Sequence, residues 1–515
     1  MSGPRPRFSP TPCQGKAPVG ELKTVGGTQR WTPMLQCPAD VPPEIFGLAV
    51  SQLIHHPEYN STLILRSETL VDATTNFPPE GCPSLEGLRP VRHIRRRLLA
   101  RRPGRDAGLE QYCMLYAPDE GDDDRPTVLL LTPIVDPGGA LPYYHPAVHH
   151  LAFRYIPAEV PLLQIEAVPL PSTPTDLDSR LYRTCLALLD TLHRYGWGAL
   201  TNYKKRVQHD CVVGRGAYQD LYLLMRERHK HLVDTWQEVT DPLKHVFEDI
   251  GIATFLMLLW KESYGSQYSE TSDHDNTDDI NPVPWRNWPQ PPGGFLDLGC
   301  GNGLLTHILT AEGYDGHGID VRARTSWTHY PETTRSRLHT ESLDPTALTG
   351  EGGDLAAHPY LRQGVFIIAN HADELTPWTP VLATLFAASG YLSIPCCAWT
   401  FDEKYERSRV SDYPTPDDDS FVDGLNLGGE GSNASSYSRY RIWLASLSLH
   451  CGWKVECENL RIPSTRNWAL VGRNRITENG EEAGLARERA EEILRKVRER
   501  GLFKTRIPEG KSKDH

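Results

Sequence analysis

Nine residues constrain this chain more than any others: Phe295-Leu296-Asp297-Leu298-Gly299-Cys300-Gly301-Asn302-Gly303. A short apolar run ends in an acid, and three glycines follow at alternate positions. Apolar residues then recur at helical spacing through Leu304, Leu305, Ile308 and Leu309. The pattern predicts strand, tight turn, helix, and so an α/β domain. Glycines let backbone approach a ligand closely, and a helix N-terminus favours electron-rich groups. The spacing also sorts ligands. A dinucleotide fingerprint needs G-x-G-x-x-G or A, yet the sixth position from Gly299 is Leu304. That disfavours a nicotinamide dehydrogenase. A second predicted strand, 316–321, carries Asp320 near its end, 23 residues after Asp297. An acid there accepts hydrogen bonds from ribose hydroxyls. The bland alternative is a packing turn with Asp320 as a helix cap.

The G-x-G-x-G spacing, with Asp297 two residues ahead, resembles motif I of the Rossmann-like S-adenosylmethionine (AdoMet) methyltransferases. The rest of the chain is read around it. A length of 515 residues predicts two or three domains. Residues 1–42, rich in Pro, Gly and Thr, are expected to be disordered. Residues 43–200 read as a mixed α/β region, and 201–262 as a helical segment joined to the glycine-motif domain. Residues 263–293 read as an acidic, Pro-rich linker or insertion, 294–475 as the glycine-motif domain, and 476–515 as a charged, peripheral helix and tail. The run Ile252–Trp260 is too short to span a bilayer and is expected to be a buried helix. The first residues lack the apolar core of a secretory signal, so no membrane partner is expected. Eleven cysteines without a C-x-x-C pair indicate neither a disulfide framework nor a zinc site, and no metal is expected. Reduced thiols fit a cytoplasmic protein. A net charge of −12 means that any RNA would be held by local basic patches.

Several such patches exist. Arg92, Arg95, Arg96, Arg97, Arg101, Arg102 and Arg105 form a phosphate-binding candidate, or a solvated basic face, or a partner for the acidic loop 119–124. Tyr203 precedes Lys204, Lys205 and Arg206, which suits a nucleic-acid backbone with a stacked base, or a surface turn. Arg322 and Arg324 lie beside the Asp320 strand. Arg461 and Arg466 flank hydroxyl residues and suit a phosphate or a solvated loop. His145 and His149 are spaced i, i+4, but no further ligand follows and structural roles are expected. The predicted strand 364–370 breaks into Asn370-His371-Ala372-Asp373-Glu374. In doubly wound sheets ligands bind beyond the carboxyl ends of strands, so these four polar groups are site candidates. Residues 402–436 read as a polar, mobile loop.

Several blocks together resemble the eukaryotic tRNA (uracil-2′-O)-methyltransferase family that modifies the uridine at position 44 of serine tRNA. They are Lys205-Arg206-Val207 with His209-Asp210, the Thr240–Ile250 stretch, motif I through Trp327, Asn370–Trp378, Pro395-Cys396-Cys397 and Leu460–Arg466. Ala372 stands where a Ser is usual. The resemblance implies a Rossmann-like class I AdoMet methyltransferase domain and methylation of a ribose 2′-hydroxyl. It implies AdoMet held by Asp297, Gly299, Cys300, Gly301, Asn302, Gly303, Asp320, Asn370 and His371. Asp373 or Glu374 is expected to orient or deprotonate the hydroxyl, with Lys404 a further catalytic candidate. Lys204, Lys205, Arg206, Arg322, Arg324, Arg461 and Arg466 are expected to contact tRNA. The competing readings are an AdoMet-binding RNA scaffold without catalysis, and a methyltransferase of proteins or small molecules.

Overall fold

A computed structural model describes residues 5–14, 21–27, 29–75, 78–120, 123–136, 138–203, 207–265, 283–348, 356–406, 413–416, 419–428, 435–477 and 480–505. The chain divides into two compact units, 1–204 and 205–515.

The first unit is built on an antiparallel sheet of eight strands. These are β1 (Thr11–Pro12), β2 (Thr32–Pro38), β3 (Ile64–Ala73), β4 (Leu88–Ala100), β5 (Leu109–Pro118), β6 (Val128–Ile134), β7 (Val148–Ile156) and β8 (Leu162–Pro169). Their spatial order is β1-β2-β8-β7-β6-β5-β4-β3. Helices α1 (Pro43–His55) and α2 (Arg180–Leu200) cover one face. Alternate residues of β5 face opposite ways. Cys113 and Leu115 join the helix-covered core, while Met114 and Tyr116 meet Leu22 and Trp31 on the other face. The described residues before Pro43 therefore depart from the disorder that the composition predicts. Met34, Leu35 and Cys37 are buried in β2, and Leu22 and Trp31 cap the second core. The reason is tertiary: one short apolar strand among Pro and Thr residues is ordered by its ladder to β8.

The first four arginines of the run, Arg92, Arg95, Arg96 and Arg97, lie in strand β4 and are engaged within this unit. Arg92 pairs with Asp72, and Arg95 and Arg97 both pair with Glu110. Buried Arg96 donates to Gln111 and to the Leu53 and Ile54 carbonyls. Of the described residues of the acidic loop, Asp124 pairs with Arg89. His145 is buried against Gln111, and desolvation holds it down near about 4.

The second unit opens with α3 (Arg215–His229) and α4 (Pro242–Tyr264), the latter capped by Asp241, whose side chain accepts from the Leu243 amide. Its sheet comprises β9 (Phe295–Leu298), β10 (Gly316–Asp320), β11 (Leu338–Thr340), β12 (Phe366–Asn370), β13 (Gly390–Ile394), β14 (Glu456–Asn459) and β15 (Trp468–Gly472). The order is β11-β10-β9-β12-β13-β15-β14, parallel except for β15. α5 (Leu304–Ala311) follows β9, and the short α6 (Glu332–Arg335) precedes β11. α3, α4 and α5 pack on one face. α7 (Trp378–Leu385), α9 (Ser436–His450) and α10 (Glu481–Arg500) pack on the other, with α8 (Asp419–Gly424) before α9. Ile252 to Trp260 is buried throughout because helices and sheet enclose α4. Trp260 stacks on Phe295 of β9 and meets Phe366 of β12 edge-on.

Two expectations change here. The terminal helix is not peripheral: Ala490, Ile493, Leu494 and Val497 of α10 are buried in the same core as Trp378 and Leu382. Its apolar stripe is narrow, so the charge count hid it. Within 402–436, Tyr413, Leu425 and Leu427 are buried in that core as well, so the described parts of this stretch are anchored at those residues. Most of the expected acidic linker, 266–282, lies outside the described residues.

Candidate active site

The strand order reverses between β9 and β12, so a crevice opens beyond the carboxyl ends of β9, β10 and β12. The glycine turn forms its floor. Gly299, Gly301 and Gly303 all take positive φ, at 70°, 55° and 73°. The turn is tied to β10 by the Gly301 amide donating to Asp320 Oδ2 at 2.9 Å. Trp327 Nε1 donates to the Gly301 carbonyl at 2.9 Å, and Asn302 Oδ1 accepts from the Leu304 amide at 2.9 Å. Cys300 is buried. The turn is thus held from several sides before any ligand arrives.

Two cavities meet at this turn. One, of about 280 Å³, is lined by acids: Glu238, Glu248, Asp249 and Asp297, with His245 beside them. The other, of about 260 Å³, is lined by Asp320, Val321, Glu341, Leu343, Asp373 and Glu374. Four residues border both: Gly299, Gly301, Arg324 and His371.

The electrostatics of the acidic end are unusual. Asp297 is 1% exposed, and burial pushes its carboxyl up to about 7, with Asp320 adding to the rise and a Thr306 hydrogen bond opposing it. Its Oδ2 accepts from Thr306 Oγ1 at 3.1 Å, but its Oδ1 is buried with no partner among the described residues. Asn370 Oδ1 is in the same position. Burial, then Glu248 and Asp297, holds Asp249 well above the usual carboxylate range. Buried acids without partners are costly, so the pocket is made for a cation or a hydrogen-bond donor. His371 and Asp373 are non-glycine residues with φ of 57° and 47°, a conformation kept where the surroundings dictate it.

The comparisons with known proteins agree with this geometry. The family model described as "TRM44-like, N-terminal bet v1-like domain" matches residues 9–206. The one described as "Predicted AdoMet-dependent methyltransferase" matches 212–277 and 285–345. A Schizosaccharomyces pombe protein named tRNA (uracil-O(2)-)-methyltransferase is 34% identical over 496 residues, covering 91% of this chain and 90% of its own. The chain belongs to the tRNA (uracil-O(2)-)-methyltransferase family. Relatives of the same name from Neurospora crassa and Saccharomyces cerevisiae are 33% and 28% identical, over 91% and 83% of this chain and 92% and 84% of theirs. No solved structure matches significantly.

In this tRNA (uracil-O(2)-)-methyltransferase family member the crevice gathers most of the expected cofactor residues. Asp297, Gly299, Cys300, Gly301, Asn302, Asn370 and His371 line the acidic cavity, and Asp320 lines the other. Gly303 sits behind the turn, packed on Leu338 and Trp327. Asp373 and Glu374 border only the Asp320 cavity. Asp373 Oδ1 also lies 3.5 Å from Cys396 Sγ. Lys404 borders neither cavity; it is exposed and bridges to Trp399. Arg324 reaches both cavities, whereas Arg322 borders neither. Arg461 is committed to a two-pronged pair with Asp210, at 2.8 and 2.5 Å, and Arg466 lies over the Tyr437 ring at 3.9 Å. Lys204, Lys205 and Arg206 lie outside the described residues.

Sequence reasoning missed Glu248, Asp249 and His245 as site residues. The signal was present. Two adjacent acids precede a run of apolar residues on one helix, and a buried helix does not carry acids there without a use.

Proposed function

We propose that this chain transfers the methyl group of AdoMet to a ribose 2′-hydroxyl of tRNA, on a Rossmann-like class I methyltransferase fold. Uridine 44 of serine tRNA is the target that the sequence blocks imply. One observation carries the reading: an acid-lined cavity and a cavity holding Asp320 join at a glycine turn. AdoMet has an amino-acid end that carries an ammonium, and a nucleoside end; the ammonium suits the acid-lined cavity and the nucleoside the one holding Asp320.

The residues fit such a donor. Asp297 Oδ1 offers an unused buried acceptor to the ammonium, with Glu248 and Asp249 beside it. Asp320 and Glu341 line the second cavity, which suits Asp320 to the sugar hydroxyls and Glu341 to the base. A side chain at Gly301 would stand in the open cavity, since a Cβ there meets no atom nearer than 4.0 Å. AdoMet, when bound, supplies an electrophilic methyl on a sulfonium. The protein's tasks are to align a hydroxyl oxygen with that methyl, exclude water and receive a proton. Asp373 and Glu374, on the Asp320 side, suit orientation of bound groups. Arg324 and Arg466 are the tRNA contacts best placed by this reading, and Arg461 serves the fold. A cytoplasmic location belongs to the same proposal, resting on eleven free thiols.

The test is methyl transfer from labelled AdoMet to unmodified serine tRNA, with the product mapped by 2′-O-methyl-sensitive cleavage. Label on the ribose of one variable-region uridine is expected. No transfer to any tRNA, with AdoMet bound, refutes the reading.

A further inference from the structure

Resting on that reading, we propose that His371, oriented by Glu248, accepts the proton of the hydroxyl that is methylated. The argument is one of position. The sulfonium of the donor links its amino-acid end to its nucleoside end. The reacting centre therefore belongs where the two cavities meet, and four residues stand there. Gly299 and Gly301 have no side chain, and a guanidinium such as Arg324 accepts no proton. His371 is the one member of the four that does.

The imidazole is also set for the task. His371 Nε2 lies 3.4 Å from Glu248 Oε1, a carboxylate on α4 that is 4% exposed. Glu248 accepts from Nε2–H, which leaves Nδ1 as the lone-pair nitrogen. The ring is held by its backbone as well, at φ 57° on the end of the central strand β12. The other candidates stand elsewhere: Asp373 and Glu374 line only the Asp320 cavity, and Lys404 lines neither. In the step, the hydroxyl oxygen bonds the methyl carbon and gives its proton to His371 Nδ1. The sulfur keeps the electron pair of the bond that breaks, and the positive charge passes from sulfur to imidazolium. Glu248 then faces a cation. The titratable and charged groups that line the two cavities with His371 are Glu238 before α4, His245, Glu248 and Asp249 of α4, Asp297 of β9, Asp320 of β10, Arg324 after it, Glu341 after β11, and Asp373 and Glu374 after β12.

Three measurements on the full chain test this. Asparagine tolerates positive φ, so His371→Asn should fold. At saturating AdoMet, so that any loss of cofactor affinity is removed, its single-turnover methylation of serine tRNA should fall about 10²–10⁴-fold and the acid limb of the pH–rate profile should disappear. Glu248→Gln is the positioning variant. It should cut the rate about tenfold or more, and ¹⁵N-histidine spectra, assigned by the signal lost in His371→Asn, should change from a single Nε2–H tautomer to a mixture. His371→Asn with wild-type rate and pH profile overturns the proposal, as does an Nδ1–H tautomer in the wild type. A wild type that binds S-adenosylhomocysteine but methylates no tRNA removes the functional reading, and this proposal with it. An active wild type with an equally active variant removes the proposal alone.

Discussion

Gly301 and Gly303 are two residues apart in one turn, and the structure predicts opposite consequences for the same substitution. Both have positive φ, 55° and 73°, so alanine at either costs about 1–2 kcal/mol of backbone strain. They differ in what a Cβ meets. At Gly303 it would lie 2.8 Å from Leu338 Cδ1 and 3.2 Å from Trp327 Nε1, while at Gly301 the nearest atom is 4.0 Å away. Overpacking of that kind adds about 1–3 kcal/mol. Gly303→Ala should therefore cost about 2–5 kcal/mol and Gly301→Ala about 1–2 kcal/mol. At roughly 2 °C per kcal/mol for a unit of this size, the first lowers the melting temperature of its transition by about 4–10 °C and the second by about 2–4 °C. Ligand affinity should rank the other way once the folded fraction is accounted for. The Gly301→Ala methyl enters the cavity, and S-adenosylhomocysteine affinity should fall about tenfold or more. Thermal melts by circular dichroism with calorimetric titration read both. A Gly303→Ala midpoint equal to that of Gly301→Ala, or undiminished ligand affinity in Gly301→Ala, would refute the reasoning.

Three further outcomes follow from the same structure. Burial raises Asp297 to about 7, so in the unliganded chain its carboxyl is protonated below that value. Its contribution to stability is complete below the ordinary 3.8 and is lost as pH rises through about 7. The ammonium of a bound ligand favours the ionised form, so S-adenosylhomocysteine affinity should strengthen as pH rises through about 7, and Asp297→Asn should flatten that dependence in titrations across pH 5–9. Glu458 is buried and accepts from the amides of Asp210, Cys211 and Val212 at 3.0, 2.7 and 3.0 Å. Glu458→Ala should cost about 2–4 kcal/mol and expose that loop to limited proteolysis, with Glu458→Gln roughly half as severe. Leu494 of α10 is 2% exposed, so Leu494→Ala should cost about 2–4 kcal/mol in denaturant melts, against near zero if the helix were peripheral.

Much of the second unit was legible in the chain itself. A strand buried on both faces reads as an apolar run, and β9, β12 and β15 are such runs. The glycine spacing marked the turn because only backbone geometry with positive φ requires it, and Asp241-Pro242 marked the start of α4 through local capping chemistry. These are short-range effects, written in consecutive residues.

Tertiary structure decided the rest. The arginines of β4 look like a phosphate site in sequence, yet Asp72 and Glu110, on the neighbouring strands, neutralise three of them. Arg461 looks like a phosphate ligand, yet Asp210, far away in the chain, holds it. Glu248 is an ordinary helix acid until α4 lies across the end of β12 and sets it against His371. Residue types and local geometry are properties of neighbours along the chain. Which charge meets which, and which acid is left buried without a partner, depends on packing between distant segments, and that is where the chemistry of the crevice is set.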